Sequence, residues 1–143
     1  MVREALQAGG YWEGQRMKGP SGGKPGIRRM TTEDGFVILI GKNAEQNHKI
    51  VTKQANGRDL WLHARKIPGS HVLIRNDGRL IPEVVIEYAA GLAAYYSANR
   101  DEAAVDVDVT EMRHVRTVKG GKPGMVIYRN ERTLRVKPSK IQG

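Results

Sequence analysis

The stretch Asp59-Leu60-Trp61-Leu62-His63-Ala64-Arg65-Lys66-Ile67-Pro68-Gly69-Ser70-His71-Val72-Leu73-Ile74-Arg75 sets the architecture. Its first six residues read as a strand, because alternation puts Leu60 and Leu62 on one face and Trp61 and His63 on the other. Pro68-Gly69 matches the central positions of a type II turn, which predicts a positive φ at Gly69. His71 to Arg75 is a second strand, stopped at Asn76-Asp77-Gly78. Downstream, Pro82 suits the first turn of a helix running to Asn99, with Val85, Ala89, Leu92, Ala93 and Tyr96 recurring at helical spacing. Val105, Val107 and Val109 then alternate with Asp106, Asp108 and Thr110, the pattern of a half-buried strand. Further strands fall at 114–118, 125–128 and 134–136. Upstream, 28–32 and 36–40 flank Glu33-Asp34-Gly35, whose Asp-Gly pair favours a hairpin. Gly41 breaks the strand, and Asn43 is an N-cap for a helix towards Ala55. The expected fold is α+β: one domain over 28–140, a mostly antiparallel sheet with two main helices. Residues 1–27 read as a flexible basic lead-in, with a short helical start at Val2 to Ala8 and a breaker-rich run at 19–26.

Charge narrows the function. Twenty-four Lys and Arg stand against 15 Asp and Glu, a net charge of +9. A surplus of that size serves a polyanion, because each neutralised phosphate releases condensed counterions. The positives gather at both ends: Arg16, Lys18, Lys24, Arg28 and Arg29 on one side, and on the other a run from Arg113 to Lys140 broken only by Glu131. With no cysteine, a disulfide framework, a thiolate metal site and a cysteine nucleophile are excluded. No run approaches the ~20 apolar residues of a membrane span. Nor does an apolar core follow Met1 as in a signal peptide. A soluble, cytoplasmic protein is expected.

Several constellations invite chemistry. Gly22-Gly23-Lys24-Pro25-Gly26 recurs as Gly120-Gly121-Lys122-Pro123-Gly124. Proline after the lysine departs from the nucleotide-binding P-loop, so the second loop is either a backbone phosphate contact or a plain hairpin tip. Ser70, a histidine and Asp59 have the residue types of a hydrolase triad, but Ser70 lacks the glycine-flanked elbow. His63 and His71 lie eight apart, without the usual short metal spacing. No catalytic set, cofactor or metal is therefore called for. Trp61 and His63 share a face, which fits either a stacking platform for a base or a buried core pair. Asn43, Gln46 and Asn47 cluster at a helix start, where free N–H groups bind phosphate or are simply capped.

The same stretches carry a family resemblance. Residues 35–47, Asp59 to Val72, Glu87-Tyr88-Ala89-Ala90 with Tyr95-Tyr96-Ser97, and 115–126 resemble, in order, the blocks of the NFACT-R domain. Two departures stand out: Val109 where the family has a tyrosine, and Thr117-Val118 where it has a basic-proline pair. The resemblance implies an RNA-binding module of ribosome-associated quality-control factors. These bind the obstructed large subunit with its stranded peptidyl-tRNA, recruit charged tRNA and support C-terminal tailing of the stalled chain. The implied partners are tRNA and large-subunit ribosomal RNA, with no membrane or small-molecule substrate. Leu6 to Trp12 resembles the exit of the family's coiled coil, as in a C-terminal domain. A stand-alone NFACT-R protein acting in tRNA modification is the alternative, as is a small RNA-directed enzyme using His63, Ser70 and His71. Charge and resemblance together give Arg28, Arg29, Lys42, Asn43, Gln46, Asn47, Trp61, His63, Arg65, Lys66, Ser70, His71, Arg113, Arg116, Lys119 and Lys122 as the expected RNA-contacting set.

Overall fold

The computed structural model describes residues 3–5 and 26–141. The expected breaker-rich run and the basic Arg16, Lys18 and Lys24 lie outside them, Gly26 excepted. The expected helical start is corrected at Arg3–Ala5, which forms strand β1. Next come the strands β2 (Arg28–Thr31) and β3 (Val37–Ile40), helix α1 (Ala44–Lys49), and a π-helical turn, Ile50–Gln54. After them follow β4 (Leu60–Ala64), β5 (Val72–Ile74), helix α2 (Glu83–Tyr95) and β6 (Val105–Glu111). A 3₁₀ turn, Met112–His114, leads into β7 (Val115–Thr117), β8 (Val126–Tyr128) and β9 (Arg132–Val136).

Six strands make one sheet in the order β2-β3-β5-β4-β6-β9, and every neighbouring pair is antiparallel. A second sheet, β1-β8-β7, is antiparallel too. The α+β architecture with two helices thus stands.

The alternation in β4 explains the layering. Leu62 points to one side and joins Ile38, Ile40, Val72, Ile74, Val107 and the apolar face of α2 in the larger core. Trp61 points to the other side, where Leu39, Ile50, Leu73, Val126 and Tyr128 build a smaller core under the second sheet. Both faces of the central sheet are therefore covered, and its side chains reach water only at the ends and edges of the strands.

Two local expectations need correction. Gly69 is not at positive φ; the left-handed residue of that turn is Lys66, at φ 61°. What Gly69 provides is closeness: a Cβ there would lie 3.1 Å from Ser97 Cβ, where the two residues form an isolated bridge. The first helix is also shorter than expected, because α1 gives way to the π-helical turn.

Candidate nucleic-acid interface

Strand register defines a common end of the large sheet. Arg28 pairs with Ile40, Ile40 with Val72, Leu62 with Val72 and Ala64 with Val107. The start of β2, the exit of β3 and the β4–β5 turn thus lie side by side. They carry Arg28, Lys42 and the pair Arg65-Lys66.

The glycine-rich loop between β7 and β8 reaches the same end. Gly120 and Gly124 sit at φ +78° and +87°, conformations that L side chains rarely adopt. A Cβ on Gly124 would come within 3.2 Å of both the Ala44 carbonyl and Asn47 Cβ, so the loop is seated on the start of α1. Lys119 and Lys122 stand exposed on it.

Arg28 is held in place by Tyr96: its guanidinium donates to the Tyr96 hydroxyl at 3.3 Å and lies 5.5 Å from the ring centroid. Burial, then the charge of Arg28, hold the Lys42 ammonium below lysine's ordinary value. Among the described residues no ion pair involves Arg28, Arg29, Lys42, Lys66, Arg116, Lys119 or Lys122. Arg29 and Arg116 are exposed as well, on β2 and β7.

Other expected contacts are corrected by burial. Asn47, Trp61, His63, Ser70 and His71 are all 0% exposed, so none offers a surface to RNA. Trp61 and His63 do stack, with ring centroids 5.7 Å apart and planes 9° from parallel, but on each other inside the core. The Trp61 indole N–H donates to His71 Nδ1 at 2.8 Å, which leaves the proton of a neutral His71 on Nε2. Burial drives the His71 imidazole well below histidine's usual value, the His63 ring adds to this, and the Gly124 backbone opposes it.

Asn47 Oδ1 accepts from the His71 backbone N–H at 3.1 Å, and a Cβ on Gly41 would sit 2.0 Å from that oxygen. Asn43 is the N-cap as expected, accepting from the Gln46 N–H at 2.9 Å; the buried Gln46 amide oxygen accepts in turn from the Lys42 N–H. These polar groups are therefore spent on capping and on joining α1 to β5. Asp59 lies at the opposite end of β4 from Ser70, and its carboxylate accepts from the Asn56 and Asn76 backbone N–H groups. The three residue types of a triad do not meet.

Two expected cations are neutralised at home. Arg113 pairs with Glu111 at 2.6 Å, and its backbone N–H bonds to Gly57 beyond the far end of β4. Arg65 donates to the buried Asp108 carboxylate at 2.9 Å, which also accepts from the Tyr128 and Thr133 hydroxyls at 2.6 Å each. The hydrogen bond to Asp108 raises the Arg65 pKa; burial, then Asp108, raise that of the Tyr128 phenol. Asp108 and Tyr96 were missed by sequence reasoning. Arg28 and Tyr96 are 68 positions apart, and no local pattern joins them.

Together these features define a class: a small α+β module with a sealed polar centre and a rim of unpaired cations around glycine-rich turns. Residues 27–130 match the family described as NFACT protein RNA binding domain. The chain belongs to that family. It is 40% identical over 140 residues to the Rqc2 homolog RqcH of Bacillus subtilis (strain 168), covering 96% of this chain and 24% of that protein. It is 39% identical to the Streptococcus suis (strain 05ZYH33) protein of the same name, covering 97% of this chain and 25% of that one. The chain thus spans about a quarter of the length of these relatives. A solved structure titled as the C-terminal of the fibronectin/fibrinogen-binding protein from Streptococcus suis superposes with a TM-score of 0.76. It is 41% identical, and the match covers 87% of this chain and 50% of that one.

Proposed function

We propose that this chain is an RNA-binding module of a ribosome-associated quality-control factor, with no chemistry of its own. It contacts tRNA, large-subunit ribosomal RNA or both during rescue of stalled peptidyl-tRNA and tailing of the nascent chain. The observation that carries this reading is the gathering of Arg28, Lys42, Lys66, Lys119 and Lys122 at one end of the sheet, with no acidic partner among the described residues. Lys66, Lys119 and Lys122, exposed on turns, reach phosphates with little desolvation cost, and phosphate contacts need no base-specific groups. Membership of an RNA-binding domain family and the quality-control relatives support the same reading. The enzyme alternative loses ground, since His63, Ser70 and His71 are sealed from any substrate.

Binding of tRNA to two variants tests the assignment. Lys119→Ala/Lys122→Ala removes two unpaired cations and is expected to weaken binding several-fold. Arg132→Ala removes a cation already paired with Glu83 at 2.7 Å and is expected to leave affinity nearly unchanged. Equal losses in the two would mean that bulk charge alone, and not this end of the sheet, attracts RNA.

A further inference from the structure

Like charges held near each other without a counterion cost free energy, and Lys42 comes two residues after the Ile40 that pairs with Arg28, near enough for the Arg28 charge to act on its ammonium. The fold anchors the Arg28 side chain and the backbone that carries Lys42. The Tyr96 hydroxyl and ring anchor Arg28. The Lys42 backbone N–H is tied to the Gln46 amide oxygen at 2.9 Å, two residues past the Ile40 that pairs with Arg28. Among the described residues neither forms an ion pair. Burial raises the Tyr96 pKa, so the phenol stays neutral and leaves the Arg28 charge unspent.

We propose that Arg28 and Lys42 form a subsite for a phosphate monoester, the doubly charged terminal phosphate of an RNA 5′ end or of a free nucleotide. Two neighbouring cations complement a monoester carrying about −1.5 to −2 charges at pH 7 better than a singly charged backbone diester. A guanidinium presents a planar fork to two phosphate oxygens, and an ammonium takes a third as a point charge. The polynucleotide half of this inference rests on the RNA-binding reading above.

Two oligoribonucleotides of one sequence, one with a 5′-phosphate and one with a 5′-hydroxyl, test it, with AMP as the free-nucleotide probe. The phosphorylated strand is expected to bind about tenfold tighter, the scale of one or two charge-assisted hydrogen bonds. That ratio should fall to near one in Arg28→Gln and in Lys42→Gln, each checked for an unchanged melting temperature. It should persist in Lys119→Ala/Lys122→Ala, which weakens both strands alike. AMP should also raise the Lys42 side-chain titration, followed by NMR, back towards lysine's ordinary value.

An AMP response with equal strand affinities assigns the subsite to free nucleotides; a strand preference without an AMP response assigns it to RNA ends. Equal strand affinities with a Lys42 titration unmoved by AMP overturn the subsite and leave RNA binding standing. A ratio that survives both glutamine variants overturns it as well. If neither strand binds but AMP shifts Lys42, the RNA-binding reading fails and the subsite stands.

Discussion

Asn47 occupies a place that a single methyl group would destroy. Its side-chain oxygen lies where a Cβ on Gly41 would project, and the same oxygen holds the His71 backbone N–H. Gly41→Ala must therefore displace a fully buried amide and break a buried hydrogen bond, at a cost of about 3 kcal/mol. Gly57→Ala meets Arg113 Cβ only at an ordinary 3.5 Å and serves as the control. Chemical denaturation of both variants checks the difference; equal midpoints would mean that Asn47 has room to move. His71, beside it, sets an acid limit on stability. Its folded pKa is depressed, so below the unfolded value of about 6.5 the unfolded chain takes up a proton that the folded chain refuses. The stability that neutral His71 carries is complete above that pH. It is lost as pH falls, by up to ~1.4 kcal/mol per pH unit, until the folded pKa is reached. Denaturation midpoints of wild type and His71→Gln from pH 7.5 to 4.5 read this directly. The variant should lose less stability over the interval, and parallel curves would exclude His71 as the titrating group.

At the scale of elements, the loop between β7 and β8 presents its lysines from a defined seat, because Gly124 packs against the start of α1. Gly124→Ala puts a side chain at φ +87° and 3.2 Å from both Ala44 O and Asn47 Cβ, so the loop should lift from the helix. Its lysines remain, yet tRNA affinity should fall by a factor comparable to Lys119→Ala/Lys122→Ala. That double variant should leave the melting temperature nearly unchanged, because both side chains are exposed. If Gly124→Ala binds tRNA as wild type does, the seating of the loop has no part in recognition. Much at this scale was legible: alternation at Leu60 to His63, the Asp34-Gly35 hairpin and the Asn43 cap each correspond to an observed element. These signals are local, and local chemistry decides them. The turn at Gly69 was misread because its glycine answers to Ser97, 28 positions on, and not to its own backbone. The split of the first helix into α1 and a π-helical turn has no composition signal among Ala44 to Gln54. At the site, alternation could tell that Trp61 and His63 share a face. It could not tell that a second sheet covers that face, since the covering strands lie at 115–117 and 126–128.

For the whole molecule, charge along the chain and charge in space differ. The basic run from Arg113 to Lys140 looks like a positive arm in the sequence, but folding brings the central acids against it. Arg113 meets Glu111, Arg132 meets Glu83 and Arg135 meets Asp106, while Arg65, from the centre, takes Asp108. Among the described residues, the cations outside any ion pair include Arg28, Lys42, Lys66, Lys119 and Lys122 at one end of the large sheet, with Arg29 and Arg116 exposed on β2 and β7. Such a surplus has a thermodynamic signature. Each cation that neutralises a phosphate releases counterions, so the logarithm of the tRNA binding constant should fall linearly with the logarithm of salt concentration, with a slope near −0.9 per contact on duplex. Contacts with ~6 phosphates would cost about a thousandfold in affinity between 50 and 200 mM salt. Lys119→Ala/Lys122→Ala should make the slope shallower by about 1–2, whereas Arg135→Ala, already held by Asp106 at 3.1 Å, should leave it in place. Binding isotherms across the salt series for the three proteins decide it. A slope near zero in the wild type would remove the electrostatic basis of the RNA-binding reading, and equal slopes in all three would move the contact surface off the glycine-rich loop.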